Sequence, residues 1–233
     1  MKKFVRAHLL FLLLVVALAM PVHASVMTQA IINENIQVLF DFRNIRSDIY
    51  GNITITESTI PEIIKNNLMQ RGLTNVDYRS GPLDYPTENS VRVSFILFGS
   101  DVLNFTLKGE TMTKTYYVRT DWIKFQVNLA SDFSIDFTEY FGKPVAEWEK
   151  IDYPLNGEMH LAYMYNYTGP SSFDPVCYFI LPTEAKNVNA VGDTIIFELP
   201  PSFEDSLLNS PFLILGALMV LNIAFFLYRK VRR

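Results

Sequence analysis

Residues 91–129 read VRVSFILFGSDVLNFTLKGETMTKTYYVRTDWIKFQVNL. The stretch breaks into four runs rich in β-branched and aromatic residues, 91–98, 102–108, 111–119 and 122–129. Gly99-Ser100-Asp101 and Lys108-Gly109-Glu110 supply turn chemistry between the first three. In the second run Leu103, Phe105 and Leu107 alternate with Asn104, Thr106 and Lys108, the period-two pattern of a strand with one inward face. Successive hairpins at this spacing predict an antiparallel meander.

Upstream, Ile36, Val38, Phe40 and Phe42 alternate with Gln37, Leu39, Asp41 and Arg43, which predicts another strand. A short strand is expected at 52–56, with Ile53 and Ile55 inward. Residues 59–71 predict the one helix of the exterior. Thr59 suits the cap, Pro61 and Glu62 the first turn, and Gly72 the stop. Ile60, Ile63, Ile64, Leu68 and Met69 make its apolar stripe. Residues 81–89, with Pro82 and Pro86, read as loop.

Downstream, Phe133, Ile135 and Phe137 alternate with Ser134, Asp136 and Thr138. Residues 142–153 read as a link and 154–157 as a turn. Met159, Leu161, Tyr163, Tyr165 and Tyr167 then line one face of a strand. Further strands are expected at 176–181 and 193–199, and Pro200-Pro201 closes the domain. About ten strands and one helix predict a mostly β exterior, an antiparallel sandwich-like domain with one packed helix. The alternative is an α+β module followed by a small β-sandwich, with an internal boundary near 130–140.

Both ends of the chain speak about location. Residues 212–228 hold Asn222 as their only plainly polar side chain, and Arg229, Lys230, Arg232 and Arg233 follow. Seventeen helical residues rise about 26 Å against a hydrocarbon core of about 30 Å, the short end of spanning length. The basic tail 229–233 places the carboxyl end in the cytoplasm under the positive-inside rule. At the other end Lys2, Lys3 and Arg6 precede an apolar run at 9–20, Pro21 and a small residue at Ala24. That is the pattern of a secretory leader cleaved after Ala24. The expected layout is leader 1–24, exterior 25–201, stalk 202–211, membrane helix 212–228 and tail 229–233.

The whole chain has a formal charge of −4. Its 24 acidic residues all fall within residues 25–210, exterior and stalk together, with 13 of the 20 basic ones, a balance of −11. Such a surface argues against nucleic acid as a partner and for plain solubility. One cysteine, Cys177, allows no disulfide within the chain, and it is read as a small core hydrophobe. Three sequons, at Asn52, Asn104 and Asn166, lie in the exported part as candidate glycosylation positions. Sequons without disulfides lean towards an archaeal cell surface.

Catalytic signatures are scarce. Hydrolase elbows, metalloprotease histidine pairs, phosphate loops and EF-hand loops find no match. His160 is the only histidine of the exterior and reads as an ordinary side chain rather than a base. Asp132, Ser134, Asp136, Thr138 and Glu139 could offer oxygen to calcium, but a solvated acidic face is the better reading. No cofactor and no metal site is expected. Tyr163, Tyr165 and Tyr167 are the best candidate binding surface, against the alternative of an aromatic core ladder. Asn222 is a candidate for helix association in the membrane.

The expected function is a single-pass surface protein whose acidic exterior contacts a protein or glycan, or an accessory subunit of an envelope complex. The alternatives are a glycosidase-like hydrolase working through carboxylates alone and a structural anchor of a surface layer.

Overall fold

The computed structural model describes residues 24–108, 113–131, 133–171 and 173–201, with nine helical positions between 215 and 228. The leader before residue 24, the stalk, the tail and most of the stretch 212–228 lie outside the described residues. Among the described residues no helix is long and apolar enough to cross a membrane.

The chain runs β1 (Ala24–Ile32), β2 (Ile36–Arg43), α1 (Ser47–Tyr50), α2 (Ile60–Gln70), β3 (Asp77–Asp84), β4 (Val91–Phe98), β5 (Leu103–Lys108) and β6 (Thr113–Arg119). It continues through β7 (Gln126–Ala130), β8 (Phe133–Asp136), α3 (Phe137–Tyr140), β9 (Glu149–Leu155), β10 (Glu158–Asn166), β11 (Phe173–Ile180), β12 (Lys186–Val191) and β13 (Thr194–Leu199). The protein is therefore mostly β. Its strands form a seven-stranded sheet ordered β3-β4-β2-β1-β11-β10-β9, a four-stranded sheet ordered β12-β13-β6-β5, and the two-stranded ribbon β7-β8.

Two expectations need correction. The large sheet is not wholly antiparallel, because β1 runs parallel to β11 at its centre. A boundary near 130–140 would cut both large sheets: β1 and β2 share one with β9, β10 and β11, while β5 and β6 share the other with β12 and β13. Long-range pairing of this kind leaves no trace in local periodicity.

Helix α2 forms where its caps and stripe predict, although Thr59 works differently. Its Oγ1 accepts from Thr56 N and donates to Thr56 O, so it ties the preceding turn instead of capping the helix. Ile60, Ile64 and Leu68 of α2 are buried. Ile60 and Ile64 face Phe40, Phe42, Val93 and Phe95 of β2 and β4 across a small apolar cavity of about 40 Å³. Asn67 fastens the helix from its buried side. Its Oδ1 accepts from Gln126 N at 2.8 Å, and its Nδ2 donates to Gln126 O at 3.1 Å. The short strand expected at 52–56 is only an isolated bridge from Ile53 to Ala130.

Aromatic rings fill the interior. Phe40 packs on Phe95, Phe125 and Phe137, while Trp122 and Trp148 meet Phe179 of β11. The inner faces of both sheets and α2 enter this one buried cluster. The other face of the seven-stranded sheet contributes nothing to that cluster and receives neither a second sheet nor α2 among the described residues, although Asp41, Ala162 and Ile180 on it have no solvent exposure.

Candidate functional site

Alternation along each strand builds the outer face. In β2 the inward Val38, Phe40 and Phe42 force Leu39 and Asp41 to the other side. Register then aligns three rows across the sheet. One row is Ser94, Leu39, Gln29, Tyr178, Met164 and Glu149. The next is Ile96, Gln37, Ile31, Ile180, Ala162 and Ile151. The third is Arg92, Asp41, Met27, Val176 and Asn166.

Met27, Ile31, Leu39, Ile96, Met164 and Val176 are half-buried there, and none belongs to the interior cluster. At one end the face deepens into a groove of about 360 Å³ whose lining includes Gln29, Ile31, Leu39, Arg79 and Ile96. The groove exists because the edge strand β3 slips register between Ser80 and Leu83. Gly81 lies at the slip so close to β4 that a Cβ there would overlap Ser94 Oγ.

Polar groups hold the face in shape. Asp41 is fully buried, and its Oδ2 accepts from Arg43 Nη2 at 2.6 Å, Arg43 Nε at 3.0 Å and Arg92 Nη2 at 3.2 Å. Burial alone would raise its pKa, but the hydrogen bonds and charges of the two arginines outweigh that and hold the carboxyl below the ordinary aspartate range. Gln29 Nε2 donates to the Tyr153 hydroxyl, and the Tyr153 and Tyr178 rings lie 4.9 Å apart. Burial, with Tyr153 and Cys177 beside it, raises the Tyr178 phenol. The Tyr178 phenol therefore stays neutral where the cell works. His160 Nδ1 lies 2.8 Å from Leu181 O, so that nitrogen carries the proton and donates to the carbonyl.

The tyrosines expected to form a binding surface point the other way. Tyr163 is buried, Tyr165 packs on Phe141 and Trp148, and Tyr167 meets Tyr140 edge-on. They line the interior, and their stripe of one face was a core stripe. Asp132 of the expected acidic face lies outside the described residues. Asp136 caps α3 by accepting from Thr138 N at 2.8 Å, and Arg71 donates to Thr138 Oγ1. These groups are thus engaged in holding the chain. Among the described residues no three His, Cys, Asp or Glu side chains gather as metal ligands. Cys177 is wholly buried on the inner face, and burial pushes its thiol well above the ordinary range.

The sequon asparagines Asn52, Asn104 and Asn166 are all exposed. Asn52 follows α1 and donates to Asp48 O, Asn104 sits on the edge strand β5, and Asn166 ends the third outer row. In the helical stretch Asn222 Nδ2 donates to Leu218 O at 2.9 Å, so part of its amide is satisfied within its own helix.

No family model matches the chain, and no curated protein or solved structure matches it either.

The outer face itself was missed from the sequence. Its residues come from strands far apart in the chain, and β1, its central strand, reads locally as a mixed, weakly apolar segment. The one available signal was the pair Leu39 and Asp41 on the polar side of β2.

Proposed function

We propose that this chain is an exported, single-pass membrane protein whose exterior binds a protein partner through the outer face of the seven-stranded sheet. The leader at 1–24, the apolar stretch 212–228 and the basic tail 229–233 support export and anchoring. Exposure of Asn52, Asn104 and Asn166 supports glycosylation there. The two large sheets with α2 are read as a sandwich-like exterior.

The observation that carries the binding reading is the uncovered face. Five inter-strand spacings of about 4.8 Å, and two row spacings of about 7 Å, make a patch of roughly 340 Å². Apolar patches of that size on a folded monomer are commonly contact sites. Aliphatic side chains make about half of it and Tyr178 is its one aromatic ring, which suits a protein surface better than a sugar ring. A glycan at Asn166 would border the far corner, roughly 12 Å from Gln29, the groove residue nearest it.

A photo-crosslinking residue at Gln37 in the full chain, in its own membranes, tests this. One discrete crosslinked protein is expected, lost on Ile96→Glu. The same residue at Glu88, in the loop after β3, should yield none. Equal crosslinking from both positions refutes the reading. Alkaline extraction tests the anchor separately: the full chain should stay with the membrane, and a chain lacking 212–233 should leave it.

A further inference from the structure

The four-stranded sheet carries a second apolar feature, at one end. On its inner face the row Leu103, Val118 and Ile195 meets the core, with Val118 and Ile195 fully buried. The next row, Phe105, Tyr116 and Phe197, is buried at Phe197 but leaves Phe105 49% exposed. The last row, Leu107, Lys114 and Leu199, leaves Leu107 53% exposed. Burial therefore falls steadily along β5 in one direction. The Lys114 ammonium lies 5.6 Å from the Phe105 ring centre, so the exposed ring sits beneath a cation.

That direction is also the direction in which the chain leaves the domain. Strand β13 runs from Thr194, opposite Arg119, to Leu199, opposite Lys114. Leu199 thus ends in the same row as Leu107. Pro200 and Pro201 follow, and ten residues later the apolar stretch 212–228 begins. Ten residues reach at most about 35 Å, so under the anchoring reading this end of the sheet is the end tethered to the bilayer, within that distance of it.

We infer that Phe105 and Leu107 rest in the lipid interface, beside the chain's own membrane segment. This rests on the anchoring reading given above. An aromatic ring, an aliphatic side chain and a lysine whose stem lies along apolar surface are the group types that settle at the boundary of headgroups and acyl chains. Two contact points, the membrane helix and this edge, fix the tilt of the exterior and turn the Asn104 side of β5 away from the lipid. Asn104 pairs with Tyr117 on the opposite sheet face, so a glycan there does not obstruct the contact.

The test uses the full chain in phosphatidylcholine vesicles. Leu107→Cys, and separately Phe105→Cys, carry an environment-sensitive fluorophore, and the parent chain is the blank because Cys177 is buried. Val191→Cys is the control, exposed at the opposite end of the same sheet. Probes at 105 and 107 should lose emission to nitroxide-labelled lipid and resist aqueous iodide. The probe at 191 should do the reverse. A chain that floats with the vesicles while its 105 and 107 probes respond only to iodide overturns the contact and leaves the anchor standing. Quenching of both probes by neither agent, pointing to cover by protein, overturns it equally. A chain that does not float overturns the anchor, and this contact with it.

Discussion

Replacing Asp41 by Asn keeps the shape of the side chain and one acceptor while removing the charge from the middle of the outer face. The carboxylate has no solvent exposure, and Oδ2 receives three bonds from two guanidinium groups. Hydrogen bonds to a charged group contribute about 1.5–3 kcal/mol each when isolated. Here Arg43 is 55% exposed and Arg92 34%, so water takes over much of what either arginine loses. A net loss of about 2 kcal/mol follows, which for an exterior of this size lowers Tm by about 4–8 °C. Trp122 and Trp148 are the only tryptophans and both are buried, so their fluorescence reports unfolding of the full chain in detergent. The pH dependence separates charge from shape. The folded carboxyl titrates below the unfolded one, so its contribution is present above about pH 4 and disappears as pH falls through the folded value. The gap between parent and variant should be full at neutral pH and close in acid. An equal gap at pH 7 and in strong acid would show that shape matters and charge does not. No gap at pH 7 would show that solvating the arginines offsets the ion pairs altogether.

Asn67→Ala should cost about 2 kcal/mol by orphaning the main-chain N–H and C=O of Gln126. Asn66→Ala, one residue away and exposed, should stay within about 0.5 kcal/mol in the same urea titration. Cys177 should resist maleimide in the native chain and react fully in urea, and stoichiometric native labelling would contradict its burial. If the chain is exported as proposed, each of Asn52→Gln, Asn104→Gln and Asn166→Gln should remove one step of gel mobility from the protein purified from its own cells. A chain whose mobility is indifferent to all three carries no glycan at these positions.

What was legible in the sequence was local. Val91–Phe98 is a strand with the bounds its alternation predicts, and α2 lies within a residue of its signals at either end. The second half of β3, residues 81–84, reads as loop because Gly81-Pro82 is turn chemistry almost everywhere except at an edge-strand slip, where it sits here. Strand β9 reads as the end of a link and the start of a turn because Ile151, Tyr153 and Leu155 alternate towards the outer face, and Pro154 interrupts the signal. Strand β1 follows the leader directly and alternates between small, polar and aliphatic residues, so no single face declares itself. The tyrosine stripe of β10 was visible as a stripe, but periodicity cannot say which side of a sheet is the inside. That answer came from Phe141, Trp148 and Tyr140, whose elements arrive from elsewhere in the chain.

The parallel pairing of β1 with β11 joins residues about 150 positions apart. A chain made from its amino end first forms β1 and β2 as a hairpin early, then must wait for residues 173–180 before the other edge of β1 finds its partner. Contacts of such sequence separation slow folding, and an unpaired strand edge invites pairing with another molecule. The hazardous interval in the life of this protein is therefore its birth, when its most central strand is present and half of that strand's ladder is still unmade.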